Sequence, residues 1–193
     1  MLCRKVGILT AKSSLEINDR TPFLPSFNFY EKHESQAINA SDNEIIEAIY
    51  FPNLNDDKVT HFLMSLRELP ARLFNKSMQG KETFGLKNFT LLYRSDNEIS
   101  LGLVGKFWRA DFGLCDITNK DEFINLNDPQ VSKLVLRFKV IKQNNENIVK
   151  TETFVYCPSM VTKSVFSCYW LAIRFFSGLI RKRMLNNLKI FFD

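Results

Sequence analysis

The stretch FSCYWLAIRFFSGLIRKRML, Phe166–Leu185, decides the reading of this chain, because it fits a membrane anchor, a core helix or the wall of a ligand cavity. A transmembrane span needs about 20 consecutive apolar residues. The apolar run from Val165 to Ile180 is 16 residues long and contains Arg174, which argues against a span. At helical spacing Val165, Tyr169, Ala172, Ile173, Phe176, Leu179 and Ile180 gather into one stripe, and Lys163, Ser167, Arg174, Gly178 and Arg181 fall on the other side. That pattern predicts an amphipathic helix packed on a sheet through the apolar stripe. Ser159, after Pro158, is the expected N-cap, and a helix running from there to the chain's end spans about 50 Å. Such an element crosses a whole sheet.

Upstream of it the hydrophobic period switches between the two regular types. Residues 1–26 keep no sustained period and end in TPFLPSF, whose two prolines exclude a helix, so they read as an N-terminal extension to a domain over 27–193. FNFYEKHESQAINA, Phe27–Ala40, alternates loosely and predicts a first strand, with its inward face undecided. Ser41 and Glu44 form a capping box that starts a short helix near Asp42, ending near Pro52. Asn55–Asp57 starts a second helix, with Val59, Phe62, Leu63, Leu66 and Leu69 at helical spacing up to Pro70. From Phe89 the period is two. A hairpin turning at Ser95–Asn97 puts Phe89, Leu91 and Tyr93 on one face of its first strand, and Ile99, Leu101, Leu103 and Phe107 on one face of its second. GLCDI reads as a short strand and TNKDEFINL as a turn or two of helix capped by Thr118. SKLVLRFKVIKQ and IVKTETFVYCP are two further strands, the first with Leu134, Leu136, Phe138 and Val140 on its apolar face. The second has Val149, Thr151, Thr153 and Val155 on its buried side, opposite Lys150, Glu152 and Phe154.

The class is therefore α+β: a strand, two short helices, a run of antiparallel strands and one long C-terminal α-helix. A curved antiparallel β-sheet wrapped around such a helix is the helix-grip arrangement. The tail carries a more specific likeness. TETFV followed by FSCYWLAIRFFSGLIRKRMLNNLK resembles the C-terminal signature of bacterial proteins of the START-like (SRPBCC) superfamily, and RELPARL, GLVGKFWR and LRFKV resemble that family's upstream blocks in the same order. The resemblance covers about Phe27 to Lys189. It implies a helix-grip fold with an apolar cavity between sheet and helix, under labels such as polyketide cyclase/dehydrase-like or lipid-transport-like.

Composition bounds the rest. The chain has 193 residues, 45% of them hydrophobic, and needs no disulfide or metal to hold a core. Its four cysteines lie far apart with no CxxC pair, and the first fifteen residues hold no secretory apolar run, so a cytoplasmic protein is expected. On that reading the N-x-S/T triplets at Asn39, Asn75 and Asn88 are coincidental. The net charge of +5 lies wholly in Ser159–Asp193, which holds six basic residues and one acid. That segment reads as a solvated helix face or as a peripheral contact with an anionic membrane; no nucleic-acid partner is expected.

The candidate cavity walls are Tyr93, Leu103, Phe107, Leu136 and Phe138 from strands and Tyr169 and Phe176 from the helix, with the hydroxyls of Thr151, Thr153, Tyr93 and Tyr169 as polar groups. A filled aromatic core is the alternative use of the same residues. For catalysis the candidates are Glu152, Tyr93 and Tyr169 as acid or base in a cyclase- or dehydratase-like reaction, with Glu152 also readable as an exposed cross-strand partner of Arg137 or Lys139. His33 and His61 have no second ligand at i+3 or i+4, QGKETFG lacks the phosphate-loop order, and GLVGKF is not a dinucleotide fingerprint, so no metal and no cofactor are expected. The leading expectation is the binding of a hydrophobic or amphipathic small molecule.

Overall fold

Alternation of apolar and polar residues in SKLVLRFKVIKQ builds β4 (Ser132–Gln143), the middle strand of one five-stranded antiparallel sheet. The structure is a computed structural model and describes residues 20–50, 88–109 and 111–193, without the side chains of 172, 175 and 176. Around β4 lie β1 (Phe29–Glu34), β2 (Thr90–Arg94), β3 (Glu98–Gly105) and β5 (Glu146–Tyr156), in the order β1-β5-β4-β3-β2. The first strand thus pairs with the last. Three helices are described: α1 (Asp42–Tyr50), α2 (Lys120–Asn125) and α3 (Met160–Phe192). The second short helix expected over Asn55–Pro70 falls outside the described residues.

Local chemistry sets the boundaries. Ser41 and Glu44 cap α1 reciprocally: the Ser41 N–H donates to Glu44 Oε2 at 2.9 Å and the Glu44 N–H to Ser41 Oγ at 3.4 Å. Ser159 caps α3, its Oγ accepting from the Thr162 N–H at 3.1 Å. The N-cap of α2 is Asn119, not Thr118, whose N–H and hydroxyl both donate to Glu122. Residues 113–117 form no strand, because Phe112 and Gly113 take positive φ and turn the chain; the segment keeps two backbone bonds, from Lys106 N–H to the Gly113 carbonyl and from Cys115 N–H to the Val104 carbonyl. That turn presses its backbone on Gly105, where a Cβ would lie 2.8 Å from the Phe112 oxygen.

The sheet is covered on both faces. Phe29, Ile99, Leu101, Leu103, Phe138 and Val155 face the layer of α1 and α3, where Ile45, Ile46, Phe166, Trp170, Leu185 and Leu188 meet them. On the other face Phe23 and Leu24, from the segment read as an extension, pack with Leu92, Val104, Phe123, Val135 and Phe154. Glu152 lies on this second face and is fully buried rather than exposed. Arg137, its cross-strand neighbour, donates to Glu152 Oε2 through Nε (2.9 Å) and Nη2 (2.5 Å), and Tyr30 Oη donates to Oε1 at 2.5 Å. Lys150 Nζ stands 3.2 Å from Oε1, and Arg137 Nη1 also donates to the Arg20 carbonyl.

The orientation of α3 differs from the sequence expectation. Its buried line runs through Phe166, Trp170, Ile173, Gly178, Ile180, Leu185 and Leu188, while Val165, Leu171 and Leu179 are exposed. The helix is turned roughly a quarter turn from the apolar stripe, so Arg174 and Arg181 approach the sheet. Ranking residues by hydropathy assumes a uniformly apolar sheet, and this sheet is acidic at β1.

Removing one member of a buried ion pair leaves the other charge uncompensated, at about 3–5 kcal/mol. Glu152→Gln should therefore lower unfolding stability by about that amount in a denaturant titration. The exposed Lys32–Glu34 pair supplies the control: Lys32→Ala should shift stability by less than about 1 kcal/mol.

Candidate functional site

Antiparallel register sorts the helix-facing side of the sheet into rows. His33 of β1 stands beside Thr151 of β5, which pairs with Phe138 of β4 and through it with Ile99 of β3. The next row is Glu31, Thr153, Leu136 and Leu101, and the third is Phe29, Val155, Leu134 and Leu103. Two rows thus run from polar groups at the β1 edge to apolar ones over β4 and β3, and the third is apolar throughout.

At the polar end, α3 closes over β1. Glu31 Oε1 lies 3.1 Å from His33 Nε2 and 3.8 Å from Arg174 Nε, and Oε2 lies 3.8 Å from Arg181 Nη1. Gly178 faces this cluster, and a Cβ built there would stand 3.5 Å from both Glu31 Oε1 and His33 Cε1, at ordinary contact distance. Burial alone would push the Glu31 carboxyl up. The hydrogen bond with His33 and the charges of Arg181, His33 and Arg174 outweigh it and hold the group below the ordinary glutamate value. Glu31 is therefore a carboxylate at neutral pH, inside the protein.

The polar atoms here are incompletely satisfied. Thr151 Oγ1, Thr153 Oγ1, Glu31 Oε2, Tyr169 Oη and Trp170 Nε1 are buried without a hydrogen-bond partner among the described residues. Buried polar groups are nearly always paired, since leaving one unpaired costs about 1–3 kcal/mol. Thr151, Thr153 and Glu31 stand in adjacent rows of the helix-facing side, so several of these atoms cluster at the β1–β5 edge.

The expected wall residues distribute as follows. Leu136, Phe138, Thr151 and Thr153 share the helix-facing side in adjacent rows. Leu103 and Phe107 join Phe29, Val155, Phe166 and Trp170 in an aromatic cluster under the first turns of α3, with Tyr169 packed against it. Tyr93 does not join them. It is 47% exposed, because a bulge between Leu91 and Tyr93 shifts the β2 register and pairs Tyr93 with Ser100 on the opposite face. The side chain of Phe176 lies outside the described residues. Glu31 and His33 were not singled out from the sequence as site residues. Their signal is the alternation Phe29-Glu31-His33, which puts an acid and an imidazole on the face of a buried Phe.

The chemistry these groups permit is limited. Glu152 is engaged by Arg137, Tyr30 and Lys150 on the far face of the sheet, away from α3. Burial pushes the Cys157 thiol up to about 11, despite its contact with Ser132, so it is no nucleophile at neutral pH. Among the described residues no three of His, Cys, Asp and Glu gather as a metal site, and no helix is long and apolar enough to cross a membrane.

No family model and no curated protein matches the chain. It is similar to a solved structure of a hypothetical protein from Helicobacter pylori at 10% identity and a TM-score of 0.34, over 96% of this chain and 99% of that one. A likeness that distant carries no argument.

Because the Glu31 carboxyl is held below its unfolded value, its contribution to stability is present above the unfolded pKa and is lost as the pH falls through the folded one. The stability gap between wild type and Glu31→Gln should thus be widest near neutrality and close between about pH 5 and pH 3, followed by thermal melts across that range.

Proposed function

We propose that this protein binds a hydrophobic or amphipathic small molecule between the helix-facing side of its sheet and α3, in a helix-grip fold of the START-like type, in the cytoplasm. The observation that carries the reading is the pair Thr151 and Thr153: two buried hydroxyls with no hydrogen-bond partner among the described residues, next to the apolar side chains of Phe138 and Leu136. Ligand sites combine apolar walls with a few placed polar groups in this way. The pairing of the first strand with the last, and a 33-residue C-terminal helix against the β1 side, support the helix-grip assignment. For a cyclase- or dehydratase-like activity the support is thinner, since Glu152 is engaged on the far face and Tyr93 is exposed.

A second reading, peripheral contact with an anionic membrane, is favoured by one observation. Ile190 and Phe191 are exposed at the end of α3, the segment that holds the chain's whole charge excess. Co-sedimentation with liposomes should then rise with their anionic lipid content, and indifference to that content removes the reading.

The leading proposal is tested by two measurements on purified protein. Native mass spectrometry should show a co-purified small molecule released on denaturation. In ligand-stripped protein Thr151→Val and Thr153→Val, which keep side-chain shape and remove an unpaired polar atom, should each raise stability by about 1 kcal/mol, while retention of that molecule falls. A loss of stability in both variants with unchanged retention would mean that the hydroxyls are structural.

A further inference from the structure

We infer that the outer face of α3 over Met160–Leu179 is a lipid-contacting surface, lying in the plane of an anionic membrane with its apolar side chains among the acyl chains. The inference rests on the peripheral-membrane reading above and names the surface that makes the contact. At about 3.6 residues per turn Met160, Val161, Val165, Cys168, Leu171 and Leu179 fall within about 140° of one another, opposite the line that packs on the sheet. All six are exposed, Met160 to 76%, Val161 to 74% and Leu171 to 56%. Ser164 is the one other exposed residue described within Met160–Arg181, so the strip presents no charge along about 28 Å of helix. An apolar strip of that length on the solvent side of a helix marks an interaction surface.

Charge decides which partner fits. From Met160 to Phe192 the helix holds six basic residues and no acidic one. Lys163, Arg174 and Arg181 follow one border of the strip, and Lys182 and Arg183 are exposed where it ends. Apolar side chains with cationic neighbours suit a helix at a surface of anionic headgroups, where lysine and arginine reach the phosphates and the strip sinks among the acyl chains. A second copy would instead set one acid-free basic helix against another. The chain's own remaining segments join the structure elsewhere. Phe23 and Leu24, which follow 1–19, lie on the opposite face of the sheet. Both ends of 51–87 lie at β2, where the Arg94 guanidinium covers the Tyr50 ring, whereas α3 packs against β1 at the other edge. Nor is α3 long and apolar enough to cross a membrane, so its contact runs along the surface.

The test uses the full chain with phosphatidylcholine vesicles, without and with about 30% phosphatidylserine, at low salt. Partitioning is read by co-sedimentation, and the reaction of Cys168 with a water-soluble maleimide is read at that residue by peptide mass spectrometry. The double variant Val161→Gln/Leu171→Gln, which adds no charge, should lower partitioning about tenfold or more with an unchanged melting temperature. Lys182→Gln/Arg183→Gln should lower it by a similar factor on the anionic vesicles alone. Cys168 should react about fivefold more slowly or less once the protein is on the vesicles. Anionic-vesicle binding that is indifferent to Val161→Gln/Leu171→Gln and leaves Cys168 as reactive as in water overturns this surface while the membrane reading stands. Absence of binding to either vesicle overturns both. A wild-type dimer that Val161→Gln/Leu171→Gln converts to monomers, or a melting temperature lowered by more than about 5 °C, also overturns the assignment, since a second copy or the chain itself then covers the strip.

Discussion

β5 lies second from the edge of a sheet covered on both faces, and it carries Lys150, Thr151, Glu152 and Thr153 in succession, all buried. A strand that buries four consecutive polar residues must find partners on both sides, and much of the architecture is the arrangement that supplies them. On the outer side Glu152 is met by Arg137, Tyr30 and Lys150, and Arg137 in turn fixes the chain at Arg20 through that residue's carbonyl. A slip of one residue between β4 and β5 would turn Glu152 or Arg137 into the opposite layer without its partner. The ion pair therefore holds register more than it adds stability, since buried pairs roughly offset their own desolvation.

The inner side solves the same problem incompletely. Glu31 is matched by His33 and by two arginines from α3, which is why the helix turns basic residues toward the sheet instead of its most apolar stripe. Gly178 lies where α3 meets Glu31 and His33, at a place where an alanine Cβ would stand at ordinary contact distance from both. Thr151 and Thr153 receive no such partner among the described residues. Among the described residues, polar groups on adjacent positions of a single strand are thus satisfied on the outer face and left unpaired on the inner one.

Much of this was legible from period and caps. The faces of β3, β4 and β5 follow from uninterrupted alternation, and the starts of α1 and α3 follow from Ser41–Glu44 and Ser159. Tyr93 was misread because a bulge adds one residue to β2, and parity arguments fail beyond an insertion. The burial of Glu152 was misread because polar parity was equated with solvent, whereas residues 20–24 and α2 cover that face. The rotation of α3 had the same origin: hydropathy counts an arginine as outward unless an acid waits for it inside. That acid sits in FYEKHE, about 140 residues from the helix it meets, and no local pattern joins the two.

Position along the rows then bears on selectivity. On the proposed ligand-binding reading, apolar contacts alone would discriminate little, because a methylene more or less changes affinity only modestly. On that reading discrimination would come from the polar end, where a ligand lacking the matching group would leave buried atoms unpaired on both sides of the contact. Glu31 makes that end particular. As a carboxylate braced by His33, Arg174 and Arg181, it is fixed in charge and position by the fold itself. The same bracing restrains it as a base, because a carboxyl held below its ordinary pKa gives up little by staying ionised and takes protons weakly.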